Sequence, residues 1–203
     1  MDRPLLIGIT GGIGSGKSMV CRLFECLDIP VYYADSRAKW LTNHDPEIRE
    51  KVVALLGAEA YDDAGQYNTR FVASAVFKNE ALLKELNAII HPVVLRDTRA
   101  WVAQHAEVPY VVKEAAIMAK ASEANAVDYV VVVEAPVELR IQRILQRDKR
   151  TEQEIRAIIE RQVSDESRRE IADYFVQNDD DSELIPQVLH LHETFRNARS
   201  SKN

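Results

Sequence analysis

The chain has 203 residues, of which 46% are hydrophobic and 29% charged, and its formal net charge is −6. This length is enough for one sizeable hydrophobic core with a smaller added lobe, and the acidic balance disfavours a protein dedicated to binding duplex nucleic acid, which usually has a basic excess. The N-terminal apolar run is too short for a signal peptide, and no stretch reaches the roughly 18 apolar residues of a membrane span, so we expect a soluble cytoplasmic protein without nucleic-acid or membrane partners.

The N-terminal part of the chain predicts a strand, a helix and a second strand. Residues 5–10 form an apolar run typical of a buried strand, and apolar residues recur at helical spacing over 18–27. A second β-like run, IPVYYAD, ends at Asp35. Beyond it the sequence indicates only helical segments as far as residue 104, with Asn68 and Asn79 as N-caps for two of them, and these segments include PEIREKVVALLG, TRFVASAVF, EALLKELNAII and VVLRDTRAWVAQ.

The C-terminal half returns to alternating strands and helices. PYVVKEAA and the nearly all-valine segment DYVVVVEA predict two strands, and the unbroken apolarity of the second is typical of a parallel strand covered on both faces. Pro136 is placed to open the next helix, and TEQE at residues 151–154 is a capping box that opens another. DYFVQN predicts a last strand, followed by a helix from Asp181 to about Asn197.

The alternation at both ends of the chain predicts an α/β fold built on a parallel sheet. The all-helical middle, residues 36–105, then lies inserted between the second and third strands. We expect a core formed by residues 1–35 and 106–203, with the inserted helices as a separate lobe.

The most informative motif is GGIGSGKS at residues 11–18, which matches G-x-x-x-x-G-K-[ST] at every defined position and lies between a predicted strand and helix. Its glycines let backbone N–H groups surround phosphate oxygens, and the helix N-terminus adds partial positive charge. A glycine-rich turn without a ligand is the alternative. We expect Lys17 to reach the β- and γ-phosphates and the Ser18 hydroxyl to bind Mg²⁺. The loop predicts a site for a nucleoside triphosphate, held by Gly12, Ile13, Gly14, Ser15, Gly16, Lys17, Ser18 and Met19.

The remaining sequence narrows the class of nucleotide-binding protein. A guanine-reading N-K-x-D segment is missing, and the chain is short for a transporter-type ATPase, which leaves a small kinase or an ATP-binding switch module. A kinase needs arginines over the phosphates to neutralise charge and exclude water. Arg143 and Arg147 lie four residues apart on one helical face, although a solvated helix face would show the same pattern. We expect a lid at about residues 140–165, with a basic cluster formed by Arg140, Arg143, Arg147, Lys149 and Arg150.

From end to end the chain resembles the dephospho-CoA kinase family. The similar segments, in order, are GITGGIGSGKS, Ala34-Asp35 after the second strand, LNAIIHP, QRD, Gln162 in IIERQ, and IADYFVQND. That family transfers the γ-phosphate of ATP to the ribose 3′-hydroxyl of dephospho-CoA, the last step of coenzyme A synthesis. The resemblance implies a five-stranded parallel core, a helical acceptor domain inserted after the second strand, a mobile helical lid, and ATP with Mg²⁺.

The resemblance also favours a catalytic role for Asp35. This residue follows a strand and precedes a helix, on the carboxyl edge where α/β sheets bind ligands. We expect Asp35 to accept the proton of the acceptor hydroxyl, whereas the alternative makes it a plain N-cap of a helix that starts at Ser36. Lys17, Asp35 and Arg147 are the predicted catalytic residues.

Three further polar residues have a functional and a structural interpretation. Glu114 ends the third predicted strand, where P-loop proteins often hold Mg²⁺ through water, but it can also be a strand-end charge. His91 matches the family and is predicted, with Asp35, to contact the acceptor, although a histidine before Pro92 can simply end a helix. Asn178 is predicted to flank the adenine, or else to belong to a solvated loop.

The sequence departs from the family pattern at several positions. The family usually reads PLLFE after the third strand, whereas this chain reads AAIMAK, with Ala116 in place of the proline and Lys120 at the acidic position. Two arginines common in the family correspond to Thr69 and Ile158. The alternatives to a dephospho-CoA kinase are another small-molecule kinase, or an ATP-binding switch whose middle lobe docks a partner.

Overall fold

The computed structural model describes residues 3–77, 79–116 and 127–200. The chain divides into two compact units: a core unit within Met1–Tyr33 and Val102–Asn203, and a helical unit, Ala34–Trp101. Lys120, at one of the departures from the family pattern, lies outside the described residues.

Five strands and nine α-helices follow one another in the described part of the chain. They are β1 (Leu5–Thr10), α1 (Lys17–Glu25), β2 (Val31–Tyr33), α2 (Ala34–His44), α3 (Pro46–Leu56), α4 (Thr69–Val76), α5 (Glu80–Ala103), β3 (Tyr110–Glu114), β4 (Tyr129–Glu134), α6 (Val137–Arg147), α7 (Glu152–Arg161), α8 (Asp165–Ile171), β5 (Tyr174–Gln177) and α9 (Leu184–Ser200), with a short 3-10 helix at Ala58–Ala60.

The five strands form one sheet in the order β2-β3-β1-β4-β5, and every pairing is parallel. The predicted parallel α/β fold is therefore confirmed. β1 lies at the centre, where Ile7 pairs with Val112 on one side and Tyr129 on the other. The register brings the carboxyl ends of the strands to one edge of the sheet, directly where β1 leads into the glycine loop.

The core unit buries both faces of the sheet. On one face, side chains of β1, β3 and β4 pack with Val20 and Phe24 of α1 and with Val188, Leu191 and Phe195 of α9. A smaller apolar cluster joins α6 to α7 through Ile141, Ile144 and Ile155. This burial removes apolar area from water and fixes the two helices, α1 and α6, that flank the loop after β1.

The helical unit begins its helices with the caps that the sequence indicates. The side chain of Asn68 accepts a hydrogen bond from the Phe71 backbone N–H (3.1 Å), and that of Asn79 accepts one from the Leu82 N–H (3.0 Å). Each cap satisfies an N–H group that the first helical turn leaves without an intrahelical partner. The unit has a core of its own, formed by Leu41, Ile48, Val52, Ala60, Tyr61, Val72, Leu86 and Val93.

One helix of this unit, α5, replaces two helices that the sequence predicts. The segments before and after Pro92 were expected to be separate helices, but α5 runs continuously through the proline. Pro92 removes one intrahelical hydrogen bond, which disfavours a helix interior, yet Leu86 before it and Val93 after it are buried in the same core. Packing on both sides therefore outweighs the local preference. Among the described helices, none has the length and apolar composition needed to cross a membrane.

Candidate active site

The loop between β1 and α1 has the backbone conformation that its glycines allow. Gly14 and Gly16 adopt left-handed φ angles of +78° and +94°, which side chains rarely tolerate. Gly16 is also the N-cap residue of α1 and supplies no side-chain cap. The N–H groups at the start of α1 thus lack a side-chain acceptor from the cap and are oriented for an anion.

The ammonium group of Lys17 lies over this loop. Its Nζ donates hydrogen bonds to the backbone oxygens of Gly11 (2.9 Å) and Gly12 (3.4 Å). Both acceptors are neutral carbonyl oxygens, and a phosphate oxygen would be a stronger, charged acceptor for the same donor.

Loop residues and α6 together line a cleft of about 270 Å³. Arg143 and Arg147 reach it from one face of α6, and the full lining is Ile13, Gly14, Gly16, Lys17, Ser18, Arg143, Ile144 and Arg147. The Arg147 side chain is 64% exposed and donates to the Asp148 carboxylate (2.9 Å), which also binds Arg150 (2.6 Å). The hydrogen bond with Asp148 raises the pKa of Arg147. Three cationic side chains, Lys17, Arg143 and Arg147, therefore border this cleft.

Asn178, which directly follows β5 and directly precedes the acidic run that starts at Asp179, contacts the loop. Its Nδ2 donates to the Ser15 backbone oxygen (2.8 Å), and its own backbone oxygen accepts from Arg143 (2.9 Å). A Cβ added to Gly16 would overlap the Asn178 amide, so glycine is needed there for close approach as well as for its φ angle. Asn178 thus connects the loop to an arginine of the cleft; its place beside the adenine stays a prediction.

Arg140 belongs to the predicted basic cluster, but its side chain is buried. Its side chain is only 2% exposed, and its Nε donates to the backbone oxygen of Ile13 (2.9 Å). Its Nη1 donates to the carboxylate of Asp165 at the start of α8 (3.1 Å). Arg140 lies against the loop and is not among the residues that line the cleft.

Glu114 is the last residue of β3 and is buried. Parallel pairing puts it beside Ile9 of β1, two residues before the glycine loop. Burial and, second to it, the negative charge of Glu114 raise the pKa of the Cys21 thiol on α1. The carboxylate is therefore close enough to interact electrostatically with the helix that carries Lys17 and Ser18. Its predicted role toward Mg²⁺ stays a prediction.

Asp35 and His91 belong to the helical unit. Asp35 is exposed and is the second residue of α2, two positions after the end of β2. Because α2 begins at Ala34, Asp35 lies inside the first turn, and its interpretation as a plain N-cap of a helix from Ser36 is wrong. His91 is exposed in the continuous part of α5, so it does not end a helix.

The comparisons with known proteins identify the family. The family model for dephospho-CoA kinase matches residues 5–183. A dephospho-CoA kinase from Porphyromonas gingivalis is 38% identical over 96% of both chains, and one from Bacteroides fragilis (strain YCH46) is 38% identical over 91% of this chain and 90% of its own. The chain belongs to the dephospho-CoA kinase family.

Two solved structures have a fold similar to that of this chain. A Thermus thermophilus crystal structure covers 95% of this chain and 98% of its own, with a TM-score of 0.82 and 28% identity. The dephospho-CoA kinase from Campylobacter jejuni gives a TM-score of 0.69 at 20% identity, over 95% of this chain and 98% of its own. At that identity the second likeness shows the fold.

The sequence does not predict several of the contacts that hold the glycine loop in this kinase. The Gln162 side chain accepts a hydrogen bond from the Ile13 backbone N–H (2.9 Å), on the opposite side of that residue from Arg140. Helix α8, which supplies Asp165, was not predicted at all. In the sequence, Gln162 is distinguished only by belonging to a family-like segment, and no periodicity or local motif links it to a residue 149 positions earlier.

The departures from the family pattern occupy ordinary structural positions. Thr69 is the first residue of α4, and Ile158 lies within α7. The backbone oxygen of Ala116 accepts from the Thr10 hydroxyl (3.3 Å) at the end of β1. These positions are therefore compatible with the fold of the family.

Proposed function

We propose that this member of the dephospho-CoA kinase family transfers the γ-phosphoryl group of ATP to the ribose 3′-hydroxyl of dephospho-CoA, giving ADP and coenzyme A. The reaction is that of the family. The observation that supports the cleft as its site is the convergence of Lys17, Arg143 and Arg147 on one space beside the glycine loop.

The residues around the cleft suit phosphoryl transfer, which depends mainly on positioning and charge neutralisation. We infer that the β- and γ-phosphates accept hydrogen bonds from backbone N–H groups between Gly12 and Met19. Lys17 then exchanges its carbonyl contacts for phosphate oxygens. Arg147, exposed at the end of α6, can turn toward the γ-phosphate, where a guanidinium stabilises charge that develops in the transition state. Asn178 flanks the adenine in this proposal.

The oxygen donors near the loop fit Mg²⁺, which prefers hard oxygen ligands and keeps several waters. The Ser18 hydroxyl is exposed in the first turn of α1, and the Glu114 carboxylate ends the strand beside β1. We infer that Ser18 would bind the ion directly and Glu114 through water. When bound, the ion would neutralise phosphate charge.

Asp35 is the proposed general base. A carboxylate can accept the proton of the ribose 3′-hydroxyl as the oxygen attacks the γ-phosphorus. The proton goes to Asp35, the new bond forms between the hydroxyl oxygen and phosphorus, and the bond to the β-phosphate oxygen breaks to release ADP. We infer that Asp35 and His91, both exposed in the helical unit, contact the acceptor.

The deciding experiment incubates the purified chain with ATP, Mg²⁺ and dephospho-CoA and measures ADP and coenzyme A together. Equal amounts of both products are expected. ADP that forms only with a different acceptor would instead indicate another small-molecule kinase, and no stoichiometric ADP would indicate an ATP-binding switch. Heat-treated protein and a reaction without dephospho-CoA serve as controls for contaminating ATPase activity.

A further inference from the structure

The backbone of Ile13 is held on both sides by side chains that follow β4 in the chain. Its N–H donates to Gln162 Oε1 (2.9 Å), and its carbonyl oxygen accepts from Arg140 Nε (2.9 Å). We call these two side chains the Ile13 clamp. Ile13 itself lines the cleft, whereas Arg140 and Gln162 do not.

Arg140 also contacts the glycines on either side of Ile13. A Cβ on Gly12 would overlap the Arg140 guanidinium, and a Cβ on Gly14 would lie 2.7 Å from the Arg140 backbone oxygen. Three consecutive loop residues therefore lie against one arginine, from its backbone to its tip. Because both polar groups of the Ile13 backbone are engaged, a shift of this part of the loop would break hydrogen bonds on one side or the other.

The charge around the clamp is unbalanced. Arg140 and Arg168 both donate to the single carboxylate of Asp165, at 3.1 and 2.7 Å, and their side chains are 2% and 5% exposed. Arg140 Nη2 and Arg168 Nε are buried without a hydrogen-bond partner in the described part of the chain. Burying charge is costly, and apolar side chains of similar volume are often at least as stabilising. A gain in stability therefore does not account for two buried arginines at this place. An anion bound on the other side of the loop accounts for them better.

We propose that Arg140 and Gln162 are positioning residues for polyphosphate binding. They hold the Ile13 backbone in the conformation that receives the β- and γ-phosphates, and the excess positive charge behind the loop favours a polyanion in front of it. This inference rests on the proposed function only in that the loop takes a polyphosphate; it requires neither the acceptor nor turnover.

The test compares Arg140→Met with the parent in binding inorganic tripolyphosphate, measured by calorimetry well below the melting temperature. Because hydrogen bonds to a charged group and their preorganising effect are lost, we expect affinity to fall roughly tenfold or more. The KM for dephospho-CoA at saturating ATP is expected to stay near the parent value. A lower melting temperature with parent-like tripolyphosphate affinity would overturn the proposal, because that pattern belongs to a merely structural arginine.

A matched control is available on the same side of the core unit. Arg169 on α8 forms an exposed ion pair with Glu134 (2.6 Å) and, among the described residues, makes no hydrogen bond with the glycine loop. Arg169→Met removes the same charge from the chain, so its tripolyphosphate affinity should stay within about twofold of the parent, as is usual for the loss of a surface ion pair. An equal loss in both variants would mean that net charge, and not the clamp, sets affinity, and would overturn the proposal.

Gln162→Leu keeps the proposal testable if Arg140→Met fails to fold. Gln162 is only partly buried, and the substitution leaves every arginine in place. It removes the oxygen that accepts from the Ile13 N–H (2.9 Å) and, at longer range, from Arg168 Nη2 (3.4 Å). We expect a several-fold loss of tripolyphosphate affinity, and parent-like affinity would contradict the clamp. A parent chain that binds tripolyphosphate but makes no coenzyme A would refute the proposed function alone.

Discussion

The side-chain amide of Asn178 donates to the backbone oxygen of Ser15 at 2.8 Å, which joins the loop after β5 to the glycine loop after β1. The same residue's backbone oxygen accepts from Arg143. One asparagine therefore connects the glycine loop to an arginine of the cleft, across 163 residues of sequence.

The first prediction follows from this contact. Asn178→Asp replaces the amide donor by a carboxylate that faces the Ser15 carbonyl oxygen, so an attractive hydrogen bond becomes a repulsive contact. We expect ATP affinity to fall roughly tenfold, and by less in Asn178→Ala, which only removes the bond. Calorimetric titration with ATP measures both variants. Parent-like affinity of Asn178→Asp would show that the contact does not shape the nucleotide site.

The second prediction concerns Lys17. In Lys17→Met the ammonium that now binds two loop carbonyls is gone, and we expect kcat to fall by orders of magnitude because phosphoryl transfer loses charge neutralisation. The fold should survive, since Lys17 is only partly buried. Lys51→Met, which breaks an exposed ion pair with Glu47 on α3, is the control for loss of one positive charge. Circular dichroism checks folding, and parent-like turnover of a folded Lys17→Met would refute the assignment.

The third prediction separates two neighbouring arginines. Arg147 and Arg150 both bind the Asp148 carboxylate, but only Arg147 is among the residues of the cleft. Arg147→Ala should lower kcat more than it weakens dephospho-CoA binding without nucleotide, because guanidinium contacts strengthen as charge moves in the transition state. Arg150→Ala should keep nearly normal kcat. The assignment fails if both variants lose kcat equally, or if Arg147→Ala changes acceptor affinity alone.

The sequence was informative for several features that are local. In the capping box at Thr151, the Thr151 backbone N–H donates to Glu154 (2.7 Å) and the Glu154 N–H donates back to the Thr151 hydroxyl (3.3 Å), as the four-residue pattern predicts. The caps at Asn68 and Asn79 and the strand of residues 5–10 are further examples. Each depends on residues within a few positions of one another, so composition and spacing are enough.

The sequence was uninformative where distant residues decide the outcome. Pro92 has the local signature of a helix end, but the core of the helical unit keeps α5 continuous through it. Arg140 lies in a basic segment that predicts a solvated lid, but in the structure its side chain is buried and donates to Ile13, 127 positions away. Such outcomes depend on tertiary packing, which outweighs local preference and leaves no periodic signal.

The last prediction concerns Asp35, whose exposed carboxylate lies in the first turn of α2. Asp35→Asn keeps the size and polarity of the side chain and removes its charge and its capacity to accept a proton. If Asp35 is the general base, the kcat of the Asp35→Asn variant should be roughly 10²–10⁴-fold lower than that of the parent, with ATP affinity unchanged. A charge near the helix N-terminus contributes only about 0.3–1 kcal/mol to stability, so the melting temperature should fall little.

Glu47 offers a matched control for Asp35, because it is a partly exposed acid in the first turn of α3 in the same unit. Glu47→Gln removes the same kind of helix-terminal charge and also weakens exposed ion pairs with Lys51 and Arg96. Its melting temperature should therefore fall at least as far as that of Asp35→Asn, while kcat stays normal. Two results would contradict this assignment: a kcat that falls in parallel with the melting temperature in both variants, or full activity of Asp35→Asn. In either case the Asp35 carboxylate would only stabilise the helix, and another residue would be the base.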